Sequence, residues 1–213
     1  MKHIAFAACL LVACRSTSDL QPTPGANGFD ADPSVTWTAE STGGSGPTAT
    51  WSVRADPDAV SRPNVLALVS TNHESEDRFN LYWTKAEPLR DVRLSVALRA
   101  DGGRVDRGGG LAWRVQDANN YYVCRFNPLE ANFRVYVVKD GVRRQLGTSL
   151  VEGRLDGWHR IDVEHDGDHV TCKLDGRPLL EVTDSTLGSA GGVGLWTKAD
   201  ARTSFDDWSS SPR

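Results

Sequence analysis

Residues 109–141 read GGLAWRVQDANNYYVCRFNPLEANFRVYVVKDG, and their apolar side chains alternate instead of recurring every three or four positions. Leu111, Trp113 and Val115 alternate with Arg114 and Gln116. Tyr122, Cys124 and Phe126 alternate with Tyr121, Arg125 and Asn127, and Phe133, Val135 and Val137 with Arg134 and Tyr136. A period of two sends successive side chains to opposite faces of a pleated strand. The stretch therefore predicts three strands, each with one face in a core and the other in water.

The same rhythm runs outward in both directions. Val92, Leu94, Val96 and Leu98 oppose Arg93, Ser95 and Arg99; Ile161 and Val163 oppose Asp162 and Glu164; Val170, Cys172 and Leu174 oppose His169, Thr171 and Lys173. Val193 and Leu195 close the set, with Trp196 and Lys198 facing the other way. Asp140-Gly141, Asp166-Gly167 and Asp175-Gly176 lie between alternating runs, and Asp-Gly suits a type I′ hairpin because both central residues need positive φ. No amphipathic helix or internal repeat competes, so the fold class is all-β, an antiparallel β-sandwich.

The chain has 213 residues and a formal net charge of −4. Its length fits one all-β domain, read here as residues 29–213, because sandwiches reach ~200–250 residues without splitting. The basic residues are scattered, so the electrostatic footprint of nucleic-acid binding is missing and no nucleic-acid partner is expected. A single copy is the expected state.

The N-terminus carries its own signal. Met1-Lys2-His3 is a short cationic region, Ile4–Ala13 an apolar run, and Leu11-Val12-Ala13-Cys14 closes it. This has the form of a secretion signal and resembles the lipobox of bacterial lipoproteins. That resemblance implies cleavage after residue 13 and acylation of Cys14, so membrane attachment is expected through lipid only. Arg15 follows, rather than the aspartate that holds lipoproteins in the inner membrane, so an outer-membrane position is expected. Residues 14–28, rich in Ser, Thr, Pro and Gly, read as a flexible tether. Cys124 and Cys172 remain; in an oxidising compartment they either form a disulfide or stay as buried thiols, and sequence alone leaves both open.

Several segments resemble the bacterial domain family named for 3-keto-disaccharide hydrolases. They include Trp51-Ser52-Val53, Gly109-Gly110-Leu111-Ala112-Trp113-Arg114, Asn119-Asn120-Tyr121-Tyr122, Pro128-Leu129-Glu130, Asn132-Phe133-Arg134 and Gly194-Leu195-Trp196-Thr197-Lys198-Ala199-Asp200. The resemblance implies a concanavalin A-like (LamG-like) jelly roll and a hydrolase acting on oxidised disaccharides. Members are often labelled family 16 glycoside hydrolases, whose retaining mechanism sets E-x-D-x-E carboxylates on one strand. This chain lacks that motif. The nearest run, Glu164-His165-Asp166-Gly167-Asp168, is broken by a hairpin turn.

Other catalytic templates are also missing, including G-x-S-x-G, H-E-x-x-H and a phosphate loop. No cofactor is expected. A divalent cation is the one exception, for which His73-Glu74-Ser75-Glu76-Asp77 offers ligand types in a polar loop. His159 and His165 fall on one strand face with Ile161 and Val163, which reads as structural. The stronger signal is a surface: Arg114, Gln116, Arg125, Asn127, Arg134, Tyr136, Trp196 and Lys198 would share the outer face of one sheet, with Asn132 at its rim. Such planar donors beside aromatic rings suit a carbohydrate or glycoside. Glu130, in the rim turn, is the first choice for acid/base chemistry. Three readings follow: an envelope module that binds or processes carbohydrate, a hydrolase or lyase on 3-keto-glycosides, and a structural lipoprotein with no ligand.

Overall fold

The computed structural model describes residues 20–31, 36–70 and 75–213. The strands, in chain order, are β1 (Thr38–Thr42), β2 (Thr50–Ala55), β3 (Asn64–Ser70), β4 (Phe79–Leu89), β5 (Val92–Gly102), β6 (Gly109–Asp117) and β7 (Asn120–Asn127). They continue with β8 (Asn132–Lys139), β9 (Val142–Leu150), β10 (Trp158–Asp166), β11 (His169–Leu174), β12 (Arg177–Thr183), β13 (Gly191–Lys198) and β14 (Arg202–Pro212). They form two seven-stranded sheets, β1-β4-β13-β6-β7-β8-β9 in front and β12-β11-β10-β5-β14-β3-β2 behind. All pairings given are antiparallel.

The core lies between the sheets. The front sheet supplies Leu111, Trp113, Tyr122, Cys124, Phe126, Phe133, Val135 and Leu195, and the back sheet Val92, Leu94, Val96, Leu98, Ile161, Val163, Val170 and Leu174. Alternation assigned all of these to the interior. Each buried aliphatic side chain is worth ~1.5–3 kcal/mol over exposure, which pins strand register, since a one-residue slip would turn the row to water. Cys124 and Cys172 meet in this core as free, buried thiols, so the thiol alternative describes the structure. Burial pushes the Cys124 thiol well up, and neighbouring Cys172 pushes it further.

Two of the three Asp-Gly hairpins are as expected, with both residues at positive φ (Asp140 51°, Gly141 76°; Asp175 51°, Gly176 75°). The third differs by one position. Asp166 pairs with His169, so the loop is Gly167-Asp168, with Gly167 at φ 61° as its first residue, the arrangement of a type II′ turn.

A bulge in β6 corrects one assignment. Pairing with β7 shifts between Trp113 and Asp117, and Arg114 adopts φ 47°. The extra residue reverses the alternation beyond it. Val115, expected inside, packs with Ala112, Tyr121 and Val123 on the outer face, while Arg114, expected outside, is fully buried.

Residues 20–28, read as the end of the tether, dock on the domain. Thr23 N–H donates to both carboxylate oxygens of Asp207 at 3.0 and 2.9 Å. Arg160 Nη2 donates to Gln21 O at 3.2 Å, and Asn27 bridges to Trp208. Leu20 packs against the cluster of Ala59, Val65, Ala97 and Trp158 on the outer face of the back sheet. The signal segment, Cys14 and the rest of the tether lie outside the described residues.

Candidate functional site

The outer face of the front sheet, expected to be wet, is largely buried. Phe79, Leu81, Trp83, Ala112, Val123, Tyr136, Val138 and Trp196 form a second apolar cluster there. Curvature accounts for it. Arg143, on edge strand β9, holds its guanidinium 5.0 Å from the Phe79 ring centre and 4.5 Å from that of Tyr136. Yet β9 and β4 lie five strand spacings apart, ~24 Å along a flat sheet, more than an arginine and a phenylalanine can bridge. The sheet therefore curls into a trough, with this contact spanning it.

Small residues make room for the trough floor. Trp196 leaves β13 and crosses β6, whose outward positions are Gly110 and Ala112, to donate its indole N–H to Tyr121 Oη on β7 at 3.1 Å. Phe79 lies beside it, ring centres 5.5 Å apart. Trp196 is 0% exposed, so it is a floor under other side chains rather than an open stacking platform.

A charged cluster borders this floor. Arg125, 2% exposed, stands on β7, with its Nη1 3.7 Å from Asp106 Oδ1 and its Nη2 donating to Glu130 Oε2 at 3.2 Å. Lys198 Nζ lies 3.3 Å from Asp106 Oδ2. Glu130 Oε2 also accepts from Asn132 Nδ2 at 2.7 Å and Arg134 Nη1 at 3.3 Å. Turn chemistry places these groups. Asn127 Oδ1 accepts from the backbone N–H of Leu129 and Glu130 at 2.9 and 3.1 Å, and Asn127 Nδ2 donates to Asp106 Oδ1 at 3.1 Å. Ala131 at φ 50° completes the bend. The loop carrying Asp106 is fixed by Asp200, whose carboxylate accepts backbone N–H from Arg104, Val105 and Asp106 at 2.7, 2.9 and 3.0 Å.

The two carboxyls are pushed apart. Burial raises the Asp106 carboxyl, opposed by the charges of Arg125 and Lys198. Burial would also raise Glu130, but the Asn132 hydrogen bond and the charges of Arg125 and Arg134 outweigh it and hold Glu130 below its ordinary range. Glu130 is thus an ionised acceptor at neutral pH and a poor proton donor. Burial would lower the Arg125 guanidinium, yet Asp106, Tyr136 and Glu130 keep it firmly charged.

Among the described residues, eight buried polar atoms lack a hydrogen-bond partner; five lie on this face, Arg125 Nε and Nη1, Arg143 Nη1, Asn132 Oδ1 and Asp106 Oδ2, and three lie elsewhere, Trp51 Nε1, His159 Nε2 and His165 Nε2. An unpaired buried polar group costs about 1–3 kcal/mol, and native proteins tolerate few. The five on this face leave both donors and acceptors with unmet hydrogen-bonding capacity beside the charged cluster.

Of the residues singled out in the sequence, Arg125, Asn132, Arg134, Tyr136, Lys198 and Glu130 come together here, with Trp196 beneath. Asn127 belongs to the scaffold of the rim turn. Arg114 does not belong to the face; its guanidinium donates to the carbonyls of Arg90, Leu187 and Gly167 at 2.7–2.8 Å. Sequence reasoning missed Asp106, Arg143, Phe79 and Asp200. The Asp140-Gly141 hairpin carried a usable signal for Arg143, because its register sets Arg143 opposite Val138.

The remaining sequence candidates are structural or lie elsewhere. His165 Nδ1 accepts from the Trp113 indole N–H at 2.8 Å, and His159 Nδ1 sits 2.8 Å from Asp175. Glu164 pairs with Lys173 at 2.9 Å. His73 and Glu74 lie outside the described residues, and Glu76 and Asp77 are exposed. Among the described residues, no group of three or more His, Cys, Asp or Glu side chains is arranged to hold a metal ion.

This architecture is similar to that of several solved structures. The carbohydrate-binding module CBM66 from Bacillus subtilis aligns over 83% of this chain and 95% of its own, at 16% identity and a TM-score of 0.65. The fold is a jelly-roll β-sandwich. A Bacillus subtilis protein of unknown function with a galectin-like fold covers 83% of this chain and 90% of its own (13% identity, TM-score 0.55). A Bacteroides ovatus GH16 protein from a mixed-linkage glucan locus, in complex with the G4G4G3G product, covers 87% and 96% (10% identity, TM-score 0.56). No protein-family model and no curated protein matches the chain in sequence. Likeness at these identities speaks for the fold alone.

Proposed function

We propose that the trough of the front sheet binds carbohydrate. The observation that carries this reading is the nearly inaccessible Arg125 guanidinium with two donors unpaired, set beside Asp106, Asn132 and Glu130 and against aromatic walls. Sugar hydroxyls both donate and accept, so one ring can satisfy Arg125 and Asn132 together. Two structural neighbours, a carbohydrate-binding module and a GH16 protein holding an oligosaccharide product, support the class of ligand. The test is a glycan array followed by calorimetric titration. Arg125→Ala should weaken binding of a captured glycan at least tenfold, and the more exposed Glu130→Gln should weaken it less. Native protein that captures nothing across the array overturns the reading.

A second reading, hydrolysis of 3-keto-glycosides, draws on the opposed carboxyls Asp106 and Glu130 around one arginine, since proton-transfer pairs are built from such opposition. Turnover of a 3-keto-disaccharide that Asp106→Asn and Glu130→Gln both abolish would establish it.

We further propose that lipid on Cys14 anchors the domain to the envelope. The docking of the chain on the back sheet from Leu20 onward supports an anchor on the side opposite the trough. Cys14→Ser should shift the protein from the membrane fraction to the soluble one; unchanged partition would contradict the anchor.

A further inference from the structure

The balance of charge in the trough narrows the ligand. Among the described residues, the carboxylates paired with Arg125, Arg134 and Lys198 are Asp106 and Glu130, and Arg143 shares neither. Arg143 forms no ion pair among the described residues; its charge rests on the rings of Tyr136 and Phe79, and its buried Nη1 has no hydrogen bond. This excess of cations occurs in a chain whose formal net charge is −4, so the protein's overall charge does not explain it. Arg143 is half-buried, and a guanidinium partly withdrawn from water favours an anionic partner, whose carboxylate or sulfate ester its planar two-pronged donors match.

We infer that the trough takes a saccharide bearing a negative charge, a carboxylate or a sulfate ester, seated between Arg125 and Arg143. The inference rests on the carbohydrate reading of the trough. The neutral part of the guest lies against the Phe79 and Tyr136 walls, and the anion supplies the acceptors that the unpaired guanidinium N–H groups lack.

The experiment measures affinities of the full chain for tetragalacturonate, its methyl ester and a dextran sulfate fragment, with a neutral glycan array alongside. At least one acidic probe should bind at least tenfold more tightly than the methyl ester and lose affinity as salt rises. Whether the uronate or the sulfated probe leads identifies the anion. Arg143→Met should erase most of that preference and Arg143→Lys should restore part of it, both with unchanged circular dichroism. A methyl ester or neutral glycan that binds as tightly as the acidic probes overturns the charge inference and leaves the carbohydrate reading standing. Failure of every glycan, acidic or neutral, overturns both.

Discussion

The molecule buries two arginines on neighbouring strands of one sheet and treats them oppositely. Arg114, turned in by the β6 bulge, spends its donors on three backbone carbonyls and approaches Asp91 at 3.4 Å. Beside it, Tyr122 Oη donates to Asp184 Oδ1 at 2.6 Å and accepts from Leu187 N–H at 3.1 Å, while His165 Nε2 has no hydrogen-bond partner among the described residues. Arg125 is as inaccessible, yet two of its donors go unpaired. Burial is alike at the two arginines; the count of satisfied donors differs.

The largest contrast expected concerns stability. Arg114→Met should destabilise the fold by about 3–5 kcal/mol, because three carbonyls and Asp91 lose a buried partner together. Arg125→Met should cost clearly less while weakening glycan binding. Urea unfolding of both variants checks this, and equal losses would erase the distinction.

Acid should act next, and on the Arg114 end. Burial, aided by the charge of Arg114, lowers His165 to about 4, against about 6.5 in an unfolded chain. As pH falls below 6.5 the unfolded chain takes up the proton first, so stability present above that pH drains away down to pH 4. The loss from this group approaches about 3 kcal/mol. Asp206, which burial raises to about 7, works the other way over the same range, so the comparison is between native protein and His165→Gln at pH 7.5, 6.0 and 5.0: the native protein should lose more stability, or gain less, on acidification than the variant. Identical pH profiles for the two would contradict a neutral buried His165.

A smaller effect should come from Tyr122→Phe, about 1–2 kcal/mol of stability for the lost hydroxyl bonds, with glycan affinity unchanged. A change in affinity would mean that the two regions are coupled.

The fold was legible because alternation is a local signal. Leu94, Cys124, Val135 and Val163 all lie in the core as their period of two requires. Asp-Gly marked two type I′ turns and, at Gly167, the right hairpin with the wrong turn. The site was legible only in part. Arg125, Arg134, Tyr136 and Lys198 fell on the predicted face because their own strands carry no inserted residue beside them; the register shift at Val135 and Tyr136 puts the extra residue in β9. Arg114 failed because a single inserted residue reverses every position after it and leaves no mark in composition. The curl of the sheet was also hidden, since it arises from the summed packing of many strands. Without it, neither the burial of Trp196 nor the reach of Arg143 across to Phe79 could be foreseen. Asp106 lay in a loop, outside any periodic pattern.

The most direct measurement follows the arginine side-chain Nε–H signals by nuclear magnetic resonance as a captured glycan is titrated in. The Arg125 signal should shift and become protected from exchange as its Nε gains a partner, while that of Arg114 stays in place. An Arg125 signal that does not move at saturating glycan would contradict the assignment of the trough as the binding site.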